Sequence, residues 1–301
     1  MSDLAAVLDA TAAFVRRYVV LTSEQATALA LWVFHTYALD AADVSPYLSV
    51  TSPEKRSGKT RLLEVLALLV RSALVAANIS DAALFRAIED RAPTVLFDEV
   101  DAIFGPKARD REDLRGLLNA GYRRGTPALR MGGAKMTELQ EFATFCPKAL
   151  AGIGRLPDTI IDRSIPIRLK RRTTAEPVER FRYRDAIEDA EPLAQDLASL
   201  ATHHVAALRE ARPELPNALG DRAQDSWEPL LAIADLAGGD WPERARLAAI
   251  ALSGDEDTVD DTLGVRLLAD IRAAFQANGD RFPTQELLDV LKRDEEAPWA
   301  D

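Results

Sequence analysis

The most constraining stretch of the chain is Ser52-Pro-Glu-Lys-Arg-Ser-Gly58-Lys59-Thr60, set between two apolar segments of different period. Before it, Pro46-Tyr-Leu-Ser-Val-Thr51 is a short strand-like run; after it, Arg61-Leu-Leu-Glu-Val-Leu-Ala-Leu-Leu-Val70 has helical periodicity. A strand entering a tight loop that opens a helix gathers backbone N–H groups and the positive end of the helix dipole at one point, which suits an anion. In such a loop Gly58 allows close approach of phosphate, Lys59 reaches β and γ oxygens, and Thr60 offers a hydroxyl to Mg²⁺. Pro53, Glu54, Lys55, Arg56, Ser57 and Arg61 complete the expected nucleotide-binding set. The usual pattern has a glycine five residues before Gly58, where this chain has Pro53, so a basic surface turn is the alternative.

A second element lies about 35–40 residues further on, a spacing that suits a strand–helix–strand unit. Thr94-Val-Leu-Phe97 is a buried-strand pattern that ends in adjacent carboxylates, Asp98 and Glu99, with Asp101 behind them. Adjacent carboxylates repel, and packing gives no reason to place them at a strand end. A metal and a polarised water do: Asp98 as metal ligand with Thr60, Glu99 as the group that activates water. The alternative is a helix beginning at Asp98 with favourable acids in its first turn. Together the two elements point to a nucleotide triphosphatase.

The 301 residues carry a net charge of −11, which disfavours a general polyanion-binding surface, yet the charge is uneven. Residues 101–184 hold 18 basic and 10 acidic side chains, against 19 and 38 in the remainder, so a focused anionic contact is expected in the middle. A lone Cys146 excludes an intrachain disulfide and leaves no Cys-based zinc site. No apolar run approaches the ~20 residues of a membrane span, and no signal peptide is visible, so a cytoplasmic location is expected.

Helices are expected over 4–17, 23–37, 59–72, 80–90 and 110–120, and strands over 47–51, 73–78, 93–97, 142–153 and 165–169. Residues 121–137 suggest a hairpin closed by Gly132-Gly133, bearing Arg123, Arg124, Arg130 and Lys135. From 185 onward only helices follow, at 185–210, 221–238, 241–252, 262–277 and 284–293. The expected fold is α/β, a P-loop NTPase core with a mainly parallel sheet and then an all-α lid. The expected boundaries are 1–40 for N-terminal helices, 41–178 for the core and 179–301 for the lid. The stripe Trp227, Leu230, Leu231, Ile233, Ala234, Leu236 is expected as lid core.

With these residues in view, the chain resembles a family of P-loop ATPases known only as a domain of unknown function. The family is common in phage, prophage and plasmid proteins and often joined to primase or helicase modules. The matching stretches are Leu31-Trp-Val-Phe-His-Thr-Tyr37, Ser52 to Leu63, Leu118-Asn-Ala-Gly-Tyr122, Arg155 to Ile165 and Asp225 to Trp241. Pro53 is normal within that family. Its members usually continue past Pro298-Trp299 into a small C-terminal domain, which this chain is expected to lack.

The resemblance implies an AAA+-like layout, ATP and Mg²⁺ as ligands, and assembly into a homo-oligomeric ring, hexameric by analogy. By the same analogy Arg163 reaches the γ-phosphate of a neighbouring subunit, or else pairs structurally with Asp158 or Asp162. Arg155 senses γ-phosphate in cis, and the cationic hairpin contacts single-stranded DNA without reading sequence, or else stays solvated or contacts acidic residues of a neighbour. The basic run Arg168 to Arg172 binds a nucleic-acid backbone, or else is a solvated strand end or an intersubunit ion-pair partner for the acidic lid. The function implied is a DNA helicase in mobile-element or phage replication, with a primase or other replication protein as a possible partner. A protein-remodelling, loader or defence ATPase and a nucleotide-gated scaffold are the alternatives.

Overall fold

A computed structural model describes residues 3–53, 56–76, 79–100, 112–132, 138–153, 156–173, 176–254, 263–279, 281 and 283–292. The chain divides into two compact units, Met1–Ser253 and Gly254–Asp301.

The first unit opens with α1 (Leu4–Tyr18) and α2 (Ser23–Tyr37). The Asp3 side chain caps α1, and Thr22 with Gln25 forms a reciprocal capping box on α2. Helix α2 is buried on every side, as its lack of a polar face requires. Trp32 Nε1 donates to Pro46 O (2.8 Å), which fixes the chain just before β1 (Tyr47–Ser52). Then follow α3 (Lys59–Leu69), β2 (Ala73–Val75), α4 (Asp81–Arg91), β3 (Thr94–Phe97) and α5 (Glu112–Ala120). The chain continues through β4 (Ala128–Gly132), β5 (Glu138–Phe142), β6 (Lys148–Ile153), α6 (Asp158–Ile161) and β7 (Ser164–Arg168). Three long helices close the unit: α7 (Tyr183–Glu210), α8 (Asp221–Ala237) and α9 (Trp241–Ser253).

Five strands form one sheet in the order β2-β3-β6-β1-β7, with every pairing parallel. The edges suit their residues. Pro166 lies in the edge strand β7, where a missing N–H is tolerated, and the other edge, β2, is short and exposed. Alternate residues of each strand face two separate apolar cores. On one face Leu48, Val50, Leu96, Ala149 and Ile165 pack with α1–α3 and α7–α9. On the other, Tyr47, Val95, Phe97 and Leu150 pack with α4, α5 and α6. Thus the helix after β1 covers one face and the helices after β2, β3 and β6 cover the other. Such a switch of side opens a crevice at the strands' C-terminal ends, where open α/β sheets bind ligands.

One expectation needs correcting. The antiparallel pair is β4 with β5, residues 128–132 with 138–142, and not a hairpin over 121–137: Gly121 to Pro127 form turns, and the strand expected at 142–153 begins only at Lys148, after Pro147. The helices from 179 onward begin with α7. Trp227 and Trp241 are fully buried in the core that holds α2, α3 and one face of the sheet, so α7–α9 are part of the first unit. The second unit holds α10 (Leu263–Asn278) and α11 (Thr284–Leu291). Among the described residues no helix is long and apolar enough to cross a membrane.

Candidate functional site

The crevice contains the two motifs. Strand β1 ends at Ser52, and seven residues later Lys59 begins α3, with Gly58 as its N-cap at φ +93°. That left-handed backbone is what makes glycine necessary here, because a Cβ at Gly58 would meet only Val19 Cγ1 at an ordinary 4.0 Å. The α1–α2 link therefore lines the loop. Lys59 folds back along it, its Nζ donating to Ser52 Oγ and, at 3.4 Å, to Ser57 Oγ. Arg56 also has a left-handed backbone, φ +65°. Pro53 and Arg56 are exposed and Ser57 is buried. Glu54 and Lys55 lie outside the described residues.

Strand β3 delivers the acids, and the register carries them to the loop. Val95, Leu96 and Phe97 pair with β6, which in turn pairs with β1, so β3 and β1 end on the same side. Thr60 Oγ1 donates to Asp98 Oδ2 at 2.9 Å. Two residues 38 positions apart thus share one hydrogen bond at the mouth of the loop. Asp98 Oδ1 accepts from the Glu99 N–H at 3.0 Å, and Glu99 has φ +58°, a left-handed conformation rare for a non-glycine residue. It projects Glu99 into solvent, while Val100 N donates to Ala151 O and stays buried. Asp101 lies outside the described residues.

A hydroxyl and a carboxylate at hydrogen-bond distance, beside a helix N-terminus, suit Mg²⁺, which takes few protein ligands and keeps several waters. The donor set therefore fits Mg²⁺ with a triphosphate. Among the described residues no cluster of three or more His, Cys, Asp or Glu gathers.

Arg61 lies on the first turn of α3 and engages the fold: it pairs with Glu64 (2.9 Å) and stacks 4.3 Å over Phe181, itself edge-on to Tyr18. Arg163 lies elsewhere. It immediately precedes β7, and Tyr47 N donates to its carbonyl, so it sits where the strands begin. The length of β1 puts about 17 Å between that edge and the loop. Its Nη1 donates to Asn119 Oδ1 (3.1 Å) and its guanidinium lies 5.8 Å from the Tyr122 ring. Its partner is thus Asn119, and neither Asp158 nor Asp162 is bonded to it. Arg155 lies outside the described residues.

The cationic set of the hairpin is dispersed. Arg123 and Arg124 precede β4. Arg124 donates to Ala42 O (3.0 Å) and Leu39 O (2.7 Å) and stacks on Phe145; Arg123 approaches Asp225 at 3.9 Å. Arg130, on β4, lies 5.0 Å over the Phe85 ring. Lys135 lies outside the described residues. Two further participants carry little signal in the sequence. Ser52 holds Lys59, and the signal was a hydroxyl ending an otherwise buried strand. Asn119 holds Arg163, and only its place in Leu118-Asn-Ala-Gly-Tyr122 pointed to it.

Residues 168–301 match a family described as a protein of unknown function (DUF3631). The match runs from the last residue of β7 to the end of the chain, so Lys59, Thr60, Asp98 and Glu99 lie outside it. An uncharacterized 28.9 kDa protein in the xis 5′ region of Saccharopolyspora erythraea is 43% identical over 134 residues. That alignment covers 44% of this chain and 49% of the relative, so the chain spans about half the length of the curated relative it matches.

Proposed function

We propose that the chain is an ATP hydrolase that works as a ring of its own copies, stimulated by single-stranded DNA, and acts as a helicase in mobile-element or phage replication. The observation that supports the nucleotide part is the 2.9 Å bond between Thr60 and Asp98, which joins the phosphate-loop motif to the acidic strand. In this reading the loop N–H groups and Lys59 hold the β and γ phosphates. Thr60 and Asp98 would hold Mg²⁺, which would supply charge neutralisation at the phosphates. Glu99 orients the attacking water and takes its proton. Arg163, on the opposite edge from its own loop, serves the loop of a neighbouring copy.

A second reading, an ATP-driven remodeller of protein, is favoured by one observation. Arg123, Arg124 and Arg130 are engaged within the fold, which weakens the hairpin as a DNA contact.

The test is steady-state ATP hydrolysis by wild type and Glu99→Gln, with and without single-stranded DNA, over a range of protein concentrations. DNA stimulation that grows with concentration and is lost in the variant is expected. Hydrolysis indifferent to DNA would select the remodeller. Tight ATP binding without any hydrolysis would leave a nucleotide-gated scaffold.

A further inference from the structure

A cavity of about 470 Å³ opens at the edge of the sheet where β1 begins, remote from the phosphate loop. Its walls come from the turn after α2, the turn around Arg123, the end of α7 and the face of α8. The size lies within the range of small-molecule sites. Its floor is apolar, with Val44, Leu208, Ala232 and Ile233, all buried.

The charges around it are unusually arranged. Arg124, Arg209 and Arg212 line the cavity, and each donates only to backbone carbonyls. Arg124 bonds Leu39 O and Ala42 O, Arg209 bonds Asp40 O (3.2 Å), and Arg212 bonds Arg209 O (3.2 Å) and Ala211 O (2.7 Å). Carbonyl acceptors orient a guanidinium without cancelling its charge. Two of these groups converge on one four-residue turn, 39–42, and no carboxylate of the described residues lies within 4 Å of any of the three. Each keeps unused N–H donors. Of the acids lining the cavity, Asp225 is drawn to Arg123, which leaves Asp43 and Glu228 against three uncompensated cations.

We infer that this cavity binds a small organic anion, its phosphate or carboxylate group held by Arg209 and Arg212 and its apolar body resting on the Val44–Ile233 floor. Planar forked donors match both anions, and the floor gives preference to an anion that carries a hydrophobic group. The inference is independent of nucleotide hydrolysis.

The test is calorimetric titration of the full chain with phenyl phosphate, benzoate and inorganic phosphate. It is made in the Lys59→Ala background, so that the phosphate loop does not contribute. Saturable binding of phenyl phosphate or benzoate is expected, and the tighter of the two identifies the anionic group. Inorganic phosphate is expected to bind more weakly than phenyl phosphate. Replacing both Arg209 and Arg212 by Ala should weaken binding about tenfold or more, since each charge-assisted bond lost is worth that much. Ala42→Trp, which fills the cavity from its rim while keeping Arg209, Arg212 and the Ala42 carbonyl that Arg124 uses, should abolish binding. The inference is overturned if no probe binds saturably, if both variants bind as the parent does, or if inorganic phosphate binds as tightly as phenyl phosphate.

Discussion

Gly58 and Glu99 both have left-handed backbones beside the crevice, but only one has the side chain for it. Placing a non-glycine residue there costs about 1–2 kcal/mol, and such strain persists where surrounding structure enforces it. Here the bond from Glu99 N–H to Asp98 and the pairing of Val100 with β6 enforce it. Glu99→Gly should therefore raise the free energy of unfolding by up to about 1 kcal/mol in urea titrations, while Glu99→Gln leaves it unchanged. In the proposed reading both lose hydrolysis, so one position would separate stability from activity.

Burial of His35 has a different consequence. Its ring is wholly enclosed, its Nε2 is 3.0 Å from Ser45 Oγ, and desolvation lowers its pKa from 6.5 to about 4. Below pH 6.5 the unfolded chain takes up a proton that the folded one refuses, so stability falls as pH drops from 6.5 towards 4 and levels off below. One pKa unit is worth about 1.4 kcal/mol, so this residue should cost about 2 kcal/mol at pH 5 relative to pH 8. Unfolding measurements on His35→Gln should show that much less dependence on pH than wild type. Gly121 has a steric role: a Cβ there would lie 2.4 Å from Lys148 Nζ and 2.5 Å from Thr144 O. Lys148 is fully buried and donates to the carbonyls of Gly121, Thr144 and Cys146, so it has little freedom to yield. Gly121→Ala should destabilise by roughly 1–3 kcal/mol, the usual cost of overpacking, read as a fall in the urea midpoint.

At the scale of elements, periodicity made most of the molecule legible. The spans expected for α1, α2, β1, β3 and α8 agree with the structure to within about two residues, because each has one strong apolar period and a clear cap or break. The hairpin was displaced because Gly121, Gly125 and Gly132-Gly133 all signal turns, and composition does not rank them. The contacts of Arg163 and Arg124 were not legible, since they join residues 44 and more than 80 positions apart. The Trp227 stripe was read correctly as core, but its partners were not, because amphipathicity reports that a face is buried and not what covers it. That partner is the α2 layer on the sheet. Trp227→Ala should therefore cost about 3–5 kcal/mol and lower the melting of sheet and helices together, seen as coincident transitions by near-UV and far-UV circular dichroism.

For the molecule as a whole, the division after Ser253 makes a stronger statement than the expected boundary near 178. A fragment of residues 1–253 should fold cooperatively by itself, whereas one ending at 178 should not, because it would expose the sheet face that α7–α9 cover; hydrogen exchange of the two fragments would show this. In the proposed ring, Arg163→Ala and Glu99→Gln chains, each inactive alone, should recover part of the hydrolysis on mixing, as one supplies the water-activating acid and the other the arginine. The shared core also limits how such a machine can move. A body whose sheet and helices interlock through fully buried tryptophans is mechanically stiff, so swinging α7–α9 like a hinged cover would mean tearing the interior open. Force from the crevice would instead travel as whole-body rotation, like torque through a cam, to whatever rests against its outer faces.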